Sequence, residues 1–162
     1  MDKWGHLFKD GEFARRERIV SGLTLEQVTR RPSAQSHTIY EELWHANRWQ
    51  AIVVYRDEAL YAEWQKGRVY PDAPPARQAE WDALAAEFLA GIEKALWWSE
   101  SRERLKHETD PGVRMADVLV SLAVHTAHHL GKIVALRQFI DAWEASGDER
   151  EKQNDDTRAL GL

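Results

Sequence analysis

Apolar residues recur with a helical period along almost the whole chain, and no segment alternates as a surface strand does. The period predicts an all-α protein with four amphipathic helices, at about residues 2–21, 38–64, 77–105 and 115–143, and a short helical turn at residues 23–28. Four such helices can bury their apolar stripes only against one another, as in a four-helix bundle.

Residues that end or start a helix mark the boundaries between these segments. Residues 71–75 contain three prolines, which lack a backbone donor and end a helix, and residues 110–112 read Asp-Pro-Gly. Thr38 followed by Glu41 forms a capping box that starts the second helix. The long second connection permits a crossover between helices that are not neighbours in the bundle.

Length and charge distribution predict one domain and a tail. A chain of 162 residues suits one domain, which we assign to residues 1–146, and residues 147–162 form a charged tail that we expect to be flexible. No signal peptide is evident, and no run approaches about 20 apolar residues. We therefore expect a cytoplasmic protein without a membrane partner.

Composition narrows the chemistry. The chain has no cysteine, which leaves His, Asp and Glu as metal ligands, and a net charge of −5, which gives no electrostatic footprint for nucleic acid. The eight tryptophans are better explained by packing than by a ligand pocket. Three of them lie off the main stripes and predict a homodimer face: Trp44, Trp97 and Trp98.

Histidines are concentrated in the last predicted helix. His125 and His129 are four residues apart, so both lie on one helix face and can bind one cation. They can equally be core histidines bonded to a carboxylate or carbonyl. His45, on the flank of the second helix, completes a three-nitrogen site if helices two and four pack together; otherwise it is a boundary residue that reaches water. Three others receive no role: His6, His37 and His107.

Two segments resemble the DinB/YfiT-like family. The first is residues 23–45, which include the capping box and the sequence Leu-Trp-His. The second matches the family pattern of histidines, glycine and isoleucine at His125, His128, His129, Gly131 and Ile133. The resemblance covers about residues 1–143. It implies a four-helix bundle with a metal on His45, His125 and His129.

Not every position in the motif is a ligand or agrees with the family. His128 lies about 100° around the helix from His129, which makes it a rim group. Leu130 stands where many members of the family carry arginine. An anion contact from that position is therefore in doubt.

The expected activity follows from the ligands and the resemblance. Three neutral imidazoles suit zinc or nickel and leave a coordination position open. Some members of the family use bacillithiol, mycothiol or glutathione, which implies a metal-dependent transferase of a low-molecular-weight thiol onto a small-molecule substrate. Arg48 and Lys132 are candidates to bind the carboxylate of the thiol. Three acidic residues are candidates to orient an imidazole: Glu41, Glu42 and Asp117.

The sequence leaves three alternative functions open. The protein can be a non-catalytic metal- or ligand-binding bundle of the stress response, or a metal-dependent hydrolase in which water is the nucleophile. It can also be a metal-free bundle with a polar histidine cluster.

Overall fold

The chain is helical over most of the part that the computed structural model describes, residues 2–11 and 13–143. This confirms the all-α prediction. The helices are α1 (Lys3–Gly5, continued by a π-helical turn, His6–Asp10), α2 (Arg16–Val20), α3 (Leu25–Thr29), α4 (Ile39–Tyr55), α5 (Glu58–Gln65), α6 (Gln78–Ser99), α7 (Arg102–Lys106) and α8 (Met115–Phe139). A two-stranded antiparallel ribbon joins β1 (Glu108–Asp110) to β2 (Val113–Arg114).

All four predicted helices are shorter or interrupted. The second ends at Tyr55, because Arg56 adopts a left-handed conformation (φ 57°) and Asp57 then caps α5 by accepting a hydrogen bond from the Leu60 amide. The first is broken between α1 and α2, and the third between α6 and α7, where Ser101 caps the new helix. The fourth ends at Phe139 rather than at residue 143.

The ribbon occupies the predicted break at residues 110–112. Gly112 takes a positive φ of 77°, which glycine allows without steric cost, and so the chain reverses there. The expectation of no strand is therefore wrong at this turn. The strands are too short for periodicity to reveal them.

Helix α4 packs along both α6 and α8, and α2 also contacts α6 and α8. The long proline-rich connection therefore joins helices that are neighbours in the bundle, α4 and α6. Gly91 lets α4 and α6 approach closely, since a Cβ there would lie 2.0 Å from Nε2 of Gln50. That amide donates to the Phe88 carbonyl at 2.8 Å.

Helix α8 is the one described helix long and apolar enough to cross a bilayer by length and composition. The core helix of a soluble bundle passes the same test. Here α8 supplies core residues that are fully buried: Met115, Leu119, Leu122, Leu130 and Ile133. The proposed boundary at residue 146 and the tail at residues 147–162 lie outside the described residues.

Candidate metal centre

His45, His125 and His129 come together between α4 and α8, and each offers one ring nitrogen within 4.8 Å of the other two. The Nε2 atoms of His45 and His125 are 3.2 Å apart. A tetrahedral ion with metal–nitrogen distances of about 2.0–2.1 Å holds two ligand nitrogens about 3.3 Å apart. The spacing of this pair therefore fits a bound divalent ion.

Hydrogen bonds fix which nitrogen two of these histidines present. His45 donates from Nδ1 to the Val69 carbonyl at 2.8 Å, and because a carbonyl only accepts, the lone pair of His45 lies on Nε2. His129 donates from Nδ1 to Oε2 of Glu42 at 2.6 Å, so that in its neutral form the ring carries its lone pair on Nε2. Nδ1 of His125 is buried and has no hydrogen-bond partner among the described residues. Because Nε2 of His45 carries the lone pair, the 3.2 Å contact is a hydrogen bond donated by Nε2–H of His125, which a cation held between the two nitrogens would replace.

The surroundings of His45 and His125 favour the neutral form of both rings. Burial lowers the pKa of His45. Burial, together with the neighbouring histidines, lowers the pKa of His125 to about 4. Metal binding requires neutral imidazole, so at neutral pH these two rings need not release a proton before they coordinate.

Glu42 is the hub behind the cluster. Burial would raise its pKa, but hydrogen bonds from His129, Lys132 and His37 outweigh burial and lower the pKa to about 2. Its side chain is 0 % exposed. The carboxylate accepts from His37 Nδ1 at 2.9 Å and pairs with the Lys132 ammonium. A carboxylate behind a ligating histidine fixes the orientation of the ring and makes it a stronger ligand.

The sequence places Glu42 at this point. The capping box of Thr38 and Glu41 starts α4, with hydrogen bonds in both directions between their side chains and backbone amides. Glu42 therefore falls in the first turn, where the positive end of the helix dipole favours a carboxylate. Glu41 is occupied by the cap and by Arg31. Of the three carboxylates considered from sequence, Glu42 contacts a histidine of the cluster, and Asp117 pairs with Arg114 at the start of α8.

Aromatic rings cover one side of the cluster. The Tyr70 ring stacks on His45 at 4.8 Å between centroids, and the Trp64 ring lies at the same distance in a tilted arrangement. Trp49 continues this wall, 5.2 Å from Trp64 and 6.2 Å from His125. Val69 and Tyr70 belong to the connection after α5. The contacts of these two residues with His45 were not predicted, because helical periodicity does not show where an irregular segment packs against the bundle.

The contact of His37 with Glu42 was also not predicted, since His37 was assigned no role from the sequence. Its position directly before the capping box was the available signal. His128 is exposed, and its ring lies edge-on to His129 at 5.1 Å. That geometry agrees with the prediction of a rim position.

The two basic residues predicted to bind a thiol lie close to the cluster along their helices. Lys132 contacts Glu42, with 41 % of its side chain exposed. Arg48 lies over the Trp44 ring at 4.9 Å, and its buried Nε atom has no hydrogen-bond partner in the part of the chain that the structure describes. Thiol binding by these residues stays a prediction.

We expect the metal-free protein to lose stability as the pH falls from about 6.5 to 4. The pKa of His125 is about 4 in the fold, against about 6.5 in an unfolded chain, so the unfolded state binds more protons throughout this interval. The loss from His125 is about 2–3 kcal/mol, and the lowered pKa of Glu42 extends it in the same direction below about pH 4.5.

Urea unfolding in the presence of a chelator, repeated between pH 7 and pH 4.5, measures this dependence. His125→Gln should flatten it, and His128→Gln, which changes an exposed ring nearby, should leave it intact. An unchanged pH dependence in His125→Gln would show that His125 does not titrate as described.

The fold and the site define a class of protein: a helical bundle with a cluster of three histidines that can hold a metal ion between two of its helices. Residues 11–133 match the model of the DinB superfamily, and this region includes all three histidines. The chain belongs to that superfamily. No curated protein and no solved structure gives a significant match.

Proposed function

We propose that His45, His125 and His129 bind a divalent transition metal, zinc or nickel, and that the protein is a metal-dependent transferase of a low-molecular-weight thiol. The observation that carries the metal site is the tautomer of two rings, fixed from behind by the Val69 carbonyl and by Glu42. A histidine that only fills a core needs one such partner and does not need a second histidine nitrogen 3.2 Å away. Imidazole is a good ligand for both metals.

An open coordination position supports catalysis over plain metal storage. Within residues 2–11 and 13–143, the cluster consists of the three histidines, and no aspartate, glutamate or fourth histidine joins it. Structural zinc sites are closed by four protein ligands, whereas catalytic sites keep one position for water or a substrate. Three ligands therefore favour an exogenous fourth ligand, and a thiol is a soft ligand suited to that position.

When bound, the metal would lower the pKa of a coordinated thiol and so supply a thiolate nucleophile. The chain's own residues orient that thiol. Lys132 is 41 % exposed beside Glu42, and its remaining N–H groups can bind the carboxylate of a thiol. The aromatic wall of Trp49, Trp64 and Tyr70 limits the access of water from one side, which favours attack by the thiol over hydrolysis.

The test combines metal analysis with an activity panel. The protein is loaded with zinc or nickel and incubated with glutathione, mycothiol or bacillithiol and an electrophile such as 1-chloro-2,4-dinitrobenzene. The conjugate is followed by mass spectrometry. We expect conjugate only with metal, and more of it than in a metal-loaded control containing His125→Gln protein.

Each other result identifies a different function. Bound metal without conjugate across the panel would contradict the transferase and favour a non-catalytic metal-binding bundle of the stress response. Release of the leaving group without a thiol would indicate a hydrolase. No metal uptake on titration would contradict the whole proposal.

The remaining expectations stay proposals: a cytoplasmic protein, no nucleic acid or membrane partner, and a homodimer. Of the three tryptophans named for the dimer face, Trp97 is exposed, at 41 %. Trp98 is half-buried and donates from Nε1 to the Val54 carbonyl, and Trp44 is half-buried under Arg48. Light scattering of the protein in solution tests the oligomeric state.

A further inference from the structure

A cavity of about 470 Å³ lies beside the metal centre, in the groove between α4 and α8. Its size is that of a pocket for a small organic molecule. Trp49 lines it and also faces His125, so the cavity begins where the aromatic wall of the cluster ends. None of the three clustered histidines lines it. The side chains that line it include two aromatic rings, an apolar and a hydroxyl side chain of α8, and two exposed carboxylates: Trp49, Tyr61, Val118, Ser121, Glu58 and Asp110.

The walls of this cavity are held by specific contacts. The left-handed Arg56 ends α4 and donates from its guanidinium to the Thr109 carbonyl at 2.9 Å, which ties the ribbon to the end of α4. Asp57 then caps α5 and so brings Tyr61 to the mouth. Residues of α4, α5, the ribbon and α8 therefore line one groove. A non-glycine residue in the left-handed region is uncommon, which makes this turn a built feature.

The lining of the cavity combines apolar and aromatic side chains with carboxylates. Among the described residues that line the cavity, four carry a carboxylate (Asp57, Glu58, Asp110 and Asp117) and one, Arg56, carries a guanidinium. Arg114 balances one of the four by pairing with Asp117. The mouth keeps an excess of negative charge, with Glu58 and Asp110 both exposed to solvent.

We propose that this cavity binds an organic cation, an ammonium group attached to an aromatic or branched aliphatic body. Aromatic rings such as those of Trp49 and Tyr61 attract a cation, the exposed carboxylates add to that attraction, and Val118 provides apolar contact for the body of the ligand. The same carboxylates would repel an anion. This inference goes beyond the proposed function, because none of these residues binds the metal.

The probe is benzyltrimethylammonium, titrated into metal-free and metal-loaded protein by calorimetry and two-dimensional NMR. We expect saturable one-to-one binding in both forms, with shifts at the Trp49 indole, and no binding of phenylacetate. The double variant Glu58→Gln/Asp110→Asn should weaken binding by about fivefold, a typical effect of two exposed charges. Glu26→Gln neutralises one carboxylate on the exposed face of α3, outside the cavity lining, and should have no effect.

A cavity-filling variant tests whether the probe binds in this cavity. Ser121→Phe places a ring in the groove from the exposed side of α8 and should abolish binding while circular dichroism stays unchanged. Absence of saturation, equal binding of phenylacetate, or undiminished binding by folded Ser121→Phe would each overturn the proposal. Because the probe is also titrated without metal, a negative result here is independent of the thiol conjugation assay.

Discussion

His125→Gln is expected to lower the metal affinity at least about 100-fold, while His128→Gln leaves it unchanged. Loss of a residue that merely supports a ligand already costs 10–100-fold, and the loss of one of three ligands costs more. His125 is the best of the three positions for this test, because among the residues described its Nδ1 has no hydrogen-bond partner, and its Nε2 contacts another histidine of the cluster. His128 belongs to the same motif but is exposed and lies on the rim.

Titration with zinc against a competing chromophoric chelator gives both affinities, and thermal unfolding of the metal-free proteins shows whether each variant folds. The comparison distinguishes a metal ligand, His125, from a histidine that lies within one helical turn of it, His128. Equal affinities of His125→Gln and the parent protein would remove the metal site as described. A loss in His128→Gln of the same size would place the ion elsewhere on α8.

The part of the site that lies on helices could be predicted, because helical spacing fixes geometry locally. His125 and His129 share a face of α8 by their separation alone. The capping box likewise fixed the start of α4 and with it the place of Glu42 in the first turn. His45 needed the family resemblance, since its position on the stripe edge did not single it out.

The rest depends on contacts between distant segments. Nothing in the residue type of Arg56 marks a left-handed turn; the hydrogen bond to Thr109, 53 residues away, and the cap by Asp57 offset its strain. For the same reason the sequence predicted one helix where α4 and α5 stand. The contacts of Val69 and Tyr70 with His45 come from an irregular connection, for which no period exists.

Glu42 couples the metal site to the stability of the bundle, and Glu42→Gln should therefore damage both. The carboxylate accepts hydrogen bonds from His129 and His37 and pairs with Lys132. Glutamine has one accepting oxygen, and its amide nitrogen would face at least one of these donors. Removal of one partner from a buried charged network costs about 3–5 kcal/mol, because the partners left behind are unpaired and out of water.

We expect Glu42→Gln to lower the free energy of unfolding by about that amount and the metal affinity 10–100-fold. Glu41→Gln is the matched control: it changes the preceding residue, whose carboxylate serves the cap and Arg31, and should cost about 1 kcal/mol with little change in metal affinity. Urea unfolding and zinc titration of both variants measure the two quantities separately. If Glu42→Gln lost stability but bound metal as tightly as Glu41→Gln, the carboxylate would serve only the core. Loss of affinity in Glu42→Gln alone would show that it also orients the His129 ring.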